Sequence, residues 1–342
     1  MKIRFAAIGL NHGHIYSQTS TLIAAGCELV SFYGEEPELC ASFAKAFPQA
    51  TLARSIQEIL EDESISLITT AAIPSERSTL GIAAMRHGKD VLADKPGFTT
   101  LEQLEETRRV QKETGRMYAI LYSERMESPA TIEAGRLVKS GAIGRVVQTM
   151  GWGPHRLSLE LRAPWFFERA KYGGILCDLG SHQAEQYLYF SGAENVQILS
   201  AQVGNIAHAE YSELEDFGDA TLRGTSDNGE VCGYFRVDWF TPGAMPAFGD
   251  GRLFIIGTEG TIEVRKYCDV GGREGGEHLF LTDNQSSRYI DCSHLKNTFG
   301  EDFVHDILHR EETVCSQEHY FAAAELCLRA QEAAQKFGNL KA

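Results

Sequence analysis

The chain has 342 residues and is acidic, with 32 basic against 47 acidic side chains and a formal charge of −15. That balance argues against a nucleic-acid partner, which calls for a basic patch or stripe, and it matches an anionic membrane surface poorly. No apolar run approaches the roughly 18 residues of a membrane span, and the length suggests two domains.

The apolar run at residues 3–10 is short for a signal-peptide core and has no small-residue cleavage site behind it, so it reads as a strand. A helix follows over 14–25, closed by Gly26, then a strand over 28–33 and a helix over 37–47 with proline at its first position. Ser55 caps a short helix. Residues 65–72 form the next strand, 75–87 a helix ended by Gly88, 91–93 a strand, 101–114 a helix and 117–122 a strand. Strands alternating with helices of this length imply right-handed βαβ units, hence an α/β, doubly wound parallel sheet with helices on both faces.

Beyond a helix over 129–140 the pattern changes. Strand-like runs at 145–152, 196–202, 219–225, 230–239, 252–257, 260–265 and 278–281 are separated by turns such as Asp227-Asn228-Gly229 and Gly257-Thr258-Glu259-Gly260. Hairpins of that kind predict an α+β domain with a large open, mainly antiparallel sheet. The last stretch, 299–337, reads as two helices. The expected domains are 1–122, which would hold a dinucleotide, and 123–342; whether the C-terminal helices return to the first domain is open. The eight cysteines (27, 40, 177, 232, 268, 292, 315 and 327) show neither a Cys-x-x-Cys nor a zinc-like spacing, which suggests reduced thiols and a cytoplasmic location.

The first strand–helix turn reads Gly9-Leu10-Asn11-His12-Gly13-His14. A dinucleotide fingerprint, G-x-G-x-x-G, would place glycine where Asn11 and His14 stand, so only Gly9 is in register. Asparagine tolerates left-handed backbone, and the helix start would still attract phosphate. His12 could line the cofactor. After the second strand Glu35 is the candidate acid for the ribose hydroxyls, with the choice between NAD and NADP open.

A strand ends at Asp94-Lys95-Pro96-Gly97, and in an open parallel sheet ligands bind beyond such ends, so Lys95 points at whatever the sheet holds. Farther on, Gly173-Gly174 precedes Asp178 and His182, which are four residues apart and in one helix would share a face. A carboxylate beside an imidazole suits a proton acceptor, although a helix-start acid and a core histidine would show the same spacing.

Together these residues resemble the Gfo/Idh/MocA oxidoreductases, the family of glucose–fructose oxidoreductase and inositol dehydrogenase. Asp94-Lys95-Pro96 is similar to the family's Glu-Lys-Pro, and Gly173-Gly174 through Asp178, Gly180 and His182 is similar to its Gly-Gly-x-x-x-Asp-x-Gly-x-His element. The resemblance implies a Rossmann-type first domain, an NAD- or NADP-dependent dehydrogenase of sugars or cyclic polyols, and a homo-oligomer built on the open sheet. It implies that Lys95 orients the substrate hydroxyl and shares in proton transfer beside the cofactor. Asp178 would bind substrate and His182 would act as acid/base, so the amine and the imidazole are expected to face one cavity. Gly9, Asn11, His12, Gly13 and Glu35 would hold the cofactor, and Arg125 would lie toward the substrate. Arg162 and Trp165, with Trp152 and His155, are further substrate-flanking candidates, because arginine and aromatic rings suit a hydroxylated ligand. Oxidising an alcohol carbon needs no metal; His305 and His309, with Asp306 beside them, could mimic a metal site on one helix face, but a third ligand at sensible spacing is missing. An NAD-using glycosidase on the same fold and a non-catalytic nucleotide sensor are the alternatives.

Overall fold

A computed structural model describes residues 2–341 and divides them into two compact units. Unit 1 comprises residues up to 121 with 170–173 and 298–322; unit 2 comprises 122–169, 174–297 and 323 onward.

Unit 1 begins with β1 (Arg4–Ile8), α1 (His14–Ala24), β2 (Glu28–Tyr33), α2 (Pro37–Ala46), β3 (Thr51–Leu52) and α3 (Ile56–Glu61). It continues with β4 (Leu67–Thr70), α4 (Pro74–Arg86), β5 (Asp90–Asp94), α5 (Leu101–Thr114) and β6 (Tyr118–Leu121). The six strands pair in parallel in the order β3-β2-β1-β4-β5-β6. Strands β4, β5 and β6 are buried along their whole length, which is why they read as continuous apolar runs and not as alternating ones. The order reverses between β1 and β4, and the crevice outside the strand ends at such a point is where an open α/β sheet takes its ligand.

Unit 2 carries α6 (Ser123–Met126), α7 (Pro129–Lys139) and β7 (Val146–Pro154). Two 3-10 turns and the short α8 (Arg169–Tyr172), which crosses into unit 1, lead to α9 (Ile175–Asp178) and α10 (Gly180–Ser191). Next come β8 (Glu194–Asn205), β9 (Phe217–Ser226), β10 (Gly229–Asp238), β11 (Arg252–Gly257), β12 (Gly260–Arg265), β13 (His278–Asp283) and β14 (Ser287–Asp291). Helix α11 (Phe299–His309) belongs to unit 1, the division falls within α12 (Gln317–Ala333), and β15 (Gln335–Gly338) closes the chain. The nine-stranded sheet runs β14-β13-β12-β11-β7-β10-β9-β8-β15 and is antiparallel except where β7 meets β10 and β8 meets β15.

Alternation sorts this sheet into two faces. Val231, Phe235 and Val237 of β10, Ala220 and Leu222 of β9, and Leu253 and Ile255 of β11 are buried, while α10 packs on β7 and β10. The intervening Met150, Tyr234, Arg236, Phe254 and Ile256 are half-buried and Trp152 is exposed, leaving an amphipathic open face. Three strands escaped the sequence reading, the two-residue β3 of unit 1 among them. The stretch over 335–337, read as helix, is the start of β15, and β14 was not foreseen.

Because Ile255 is fully buried at the middle of the sheet, Ile255→Ala is expected to cost about 2–5 kcal/mol of unfolding free energy in a denaturant titration. A loss under about 0.5 kcal/mol, the scale of an ordinary surface substitution, would contradict the assignment of that face to the core.

Candidate functional site

In unit 1 the turn after β1 is shaped by contact with the turn after β4. Gly9 adopts φ +77°, and a β-carbon there would lie 2.4 Å from Ala72 Cβ, so the position admits only glycine without rearrangement. The amide of His12 donates to Ala71 O (2.9 Å) and that of Ala71 to Gly9 O (3.2 Å), zipping the two turns together. Gly13 at the N-cap of α1 offers no side-chain cap and the first turn holds no acid, the first amide being taken by His12 Nδ1. Gly13 borders open space, since a β-carbon there would meet nothing within 4 Å. A helix start with no acid in its first turn, beside open room, fits a phosphate-bearing ligand.

The two residues that break the fingerprint are held by carboxylates. Asn11 Nδ2 donates to Glu36 Oε1 (2.7 Å), and His14 Nδ1 to Asp94 Oδ1 (2.9 Å). Asp94, the last residue of β5, is buried, and its second oxygen lies 3.1 Å from the fully buried Arg77 guanidinium. Burial alone would raise its pKa; the charges of His14 and Arg77 overcome that and hold it well below the usual carboxylate range. Arg77 also donates to the carbonyls of Ala72, Asp94, Lys95 and Pro96, so one side chain fixes the backbone on both sides of Lys95. Lys95 itself is buried and joined to Pro96 by a cis peptide bond.

His12 accepts from the amide of His14 through Nδ1 (3.3 Å), and burial, then the charge of His14, pushes its pKa well down, so it is neutral near pH 7. Ligand atoms of His12, His14 and Asp94 lie within 4.8 Å of one another, a trio that the spacing of His305, Asp306 and His309 had not suggested. The carboxylate is already engaged by Arg77 and His14. Asp306 instead accepts from Thr313 and Val314.

A cavity of about 310 Å³ opens at the ends of β1, β2 and β4. Ile8, Tyr33, Ile56, Ile73 and Leu80 give it apolar walls, and Gly9, Asn11, Glu35, Glu36, Ser75, Glu76 and Thr79 give it polar ones. Glu35 is among the lining residues, as the sequence suggested. Glu36 and Glu76 were missed, as was Arg77; for Glu36 the available signal was an acid directly before the Pro37 that opens a helix.

In unit 2 the segment carrying Asp178 is pinned by side chains. Gly174 takes φ +94° with Gln331 in the space a β-carbon would fill. The first amides of α9 are then satisfied: Ile175 N donates to Glu215 Oε2 (2.7 Å) and Leu176 N to Gln331 Oε1 (2.9 Å), while Gln331 Nε2 donates to Glu215 (3.1 Å). Asp178 ends α9 and His182 sits in the first turn of α10; both are buried. Arg162 spreads over Phe166 (4.3 Å) and Trp239 (5.0 Å), where burial lowers its pKa against the opposing charge of Asp178, so those two belong to one neighbourhood. Trp165 is half-buried and meets Phe166 edge-on.

Glu124 was not foreseen. It is buried and accepts from Lys266 Nζ (2.6 Å), Gln183 Nε2 (2.9 Å) and Gln186 Nε2 (3.3 Å). Burial would raise its pKa, but Lys266 and then His182 and His155 depress it, leaving an anion in the field of both histidines. Arg125, expected toward the substrate, is engaged by the buried Glu185 and stacks over Tyr189 (4.3 Å). Trp152 stacks with Arg236 on the open face (4.4 Å).

A parallel sheet with a ligand crevice at its switch point, a phosphate-compatible helix start and a buried strand-end lysine define a dinucleotide-dependent oxidoreductase. Residues 3–122 match the model of an oxidoreductase family with an NAD-binding Rossmann fold, and residues 131–263 match the GFO/IDH/MocA C-terminal domain. A crystal structure from Erwinia carotovora atroseptica SCRI1043, described only as a candidate oxidoreductase, is 44% identical, with 98% of this chain and 100% of that one covered and a TM-score of 0.94. The scyllo-inositol 2-dehydrogenase (NAD(+)) of Bacillus subtilis (strain 168) is 23% identical over 320 residues, 92% of this chain and 86% of the relative. A levoglucosan dehydrogenase structure, in complex with NADH and levoglucosan, has a TM-score of 0.80 at 18% identity, with 98% and 97% covered. The chain belongs to the Gfo/Idh/MocA oxidoreductase family and is an NAD(P)-dependent enzyme. Among the described residues no helix is long and apolar enough to cross a membrane.

The charge on Asp94 yields a stability prediction. Its folded pKa is depressed, so the stabilisation is present above the unfolded value of about 4 and is lost as pH falls toward the folded one. Asp94→Asn is therefore expected to cost about 3–5 kcal/mol at pH 7, the usual price of orphaning a buried partner such as Arg77. Denaturant titrations of both proteins should show that deficit shrinking below pH 4; a deficit independent of pH down to 2 would contradict the ion pair.

Proposed function

We propose that this protein transfers a hydride between a nicotinamide cofactor and a secondary hydroxyl of a sugar, a cyclic polyol or a related compound. The observation that carries the reading is the buried amine of Lys95, fixed through its own backbone by Arg77 at the end of β5, next to the turn that fits a dinucleotide. The inositol and levoglucosan dehydrogenases among its relatives support the substrate class.

Gly9, Asn11, His12, Gly13 and Glu35, with Lys95, would hold the cofactor, which supplies the hydride acceptor when bound. Lys95 orients the substrate hydroxyl and shares in taking its proton. His182 acts as the acid/base at the substrate oxygen, and Asp178 accepts hydrogen bonds from neighbouring hydroxyls. Arg162, spread on its aromatic platform beside Asp178, and Trp165 present the flat, polar-edged surfaces that a hydroxylated ring packs against. Arg125 serves the interior of unit 2 through Glu185. The first domain boundary falls near residue 122, with residues 298–322 counted with the first unit, and the half-buried open face of the large sheet pairs copies of the chain into a homo-oligomer. A cytoplasmic location agrees with eight cysteines that form no disulfide.

A panel of inositols, aldoses and anhydrosugars, assayed by absorbance of reduced cofactor with NAD and with NADP, tests the activity. Once a substrate is found, Lys95→Ala and His182→Ala are each expected to lower kcat by about 10²–10⁴-fold, the usual weight of general acid–base catalysis. Both should keep measurable NADH binding. Near-wild-type turnover in either variant would remove that residue from the chemistry.

A further inference from the structure

The cavity at the ends of β1, β2 and β4 has a one-sided charge. Three carboxylates line it, Glu35, Glu36 and Glu76, and its lining includes no lysine or arginine. The three share a field: the partial desolvation of Glu76, then the charges of Glu35 and Glu36, weaken its acidity. Lys171 is the cation that opposes this at Glu76, and it does not line the cavity. Asn11, standing where the fingerprint has glycine, donates to Glu36 and so fixes that carboxylate over the turn.

We infer that the site selects a dinucleotide whose adenosine ribose carries free hydroxyls, NAD(H), and rejects the 2′-phosphorylated form, with Glu36 the principal selector and Glu35 and Glu76 completing an anionic rim. This deepens the dinucleotide reading of the cavity and rests on it. A carboxylate at the end of the second strand accepts hydrogen bonds from ribose hydroxyls, whereas a 2′-phosphate calls for an arginine there. Glu36 has a second oxygen to offer, because Oε1 alone is used by Asn11. The features that could welcome a phosphate are the hydroxyls of Ser75 and Thr79 and the first amides of α4. Glu76 stands in that same first turn and offsets them with a full negative charge. Glu35 and Glu76 are exposed, so salt screens part of their effect, and the half-buried Glu36 carries the larger share.

The test is a pair of titrations of the full-length protein with NADH and with NADPH at near-physiological salt, read by fluorescence of the reduced nicotinamide. NADH is expected to bind at least about tenfold more tightly. Glu36→Gln should weaken NADH and narrow the ratio. The exposed pair Glu35→Gln/Glu76→Gln, chosen because it leaves the buried structure alone, should narrow the ratio through a tighter NADPH complex. NADPH binding as tightly as NADH would overturn the selectivity, as would a ratio unchanged in all the variants. Binding of neither nucleotide would overturn the dinucleotide reading beneath it.

Discussion

A carboxylate buried at the end of a strand has to be neutralised where it stands, and in unit 1 that requirement organises the site. Asp94 meets Arg77 on one oxygen and His14 on the other, and its charge survives burial because those two groups outweigh the desolvation. Arg77 in turn donates to the carbonyls of Asp94, Lys95 and Pro96, so the group that neutralises the acid also fixes the backbone of the lysine. His14 is the first residue of α1, which ties the helix start to the same carboxylate. The turn after β1, the helix behind it and the end of β5 therefore share one electrostatic anchor.

The same logic recurs in unit 2. Glu124 is anionic in the interior because Lys266, and then His182 and His155, outweigh its burial, and the two glutamines that donate to it lie on α10, one and four residues beyond His182. Glu215 and Gln331 occupy the first amides of α9, upstream of Asp178. Buried polar networks of this kind cost little when every member is matched and much when one is removed. Both helices that carry the proposed substrate-binding groups are thus seated by polar side chains.

Much of this was legible along the chain. Periodicity located five of the six parallel strands, because strands buried on both faces are short apolar runs between helices; the exposed two-residue β3 carries no such signal. The antiparallel strands from β7 to β13 showed alternation and turn residues. What escaped depends on partners far away in sequence: β15 pairs with β8 some 130 positions earlier, and its Phe337 covers Gly204. Lys95, Asp178 and His182 stood out by motif. Arg77 did not, since an arginine inside a helix is ordinarily a solvated side chain; only the fold turns it inward onto the end of β5. Glu36 hid behind the more regular position of Glu35, and Arg125 looked like a ligand because its partner Glu185 lies sixty residues on.

In the proposed reaction hydride passes directly between a secondary alcohol carbon and the nicotinamide. Sugars and inositols carrying deuterium on the reacting carbon, incubated with the enzyme and oxidised cofactor and followed by proton NMR, report that transfer. The label is expected to appear stoichiometrically at C4 of the reduced nicotinamide together with a ketone product. Loss of the label to water, or cleavage of a glycosidic bond with no net reduction of the cofactor, would contradict the proposed transfer.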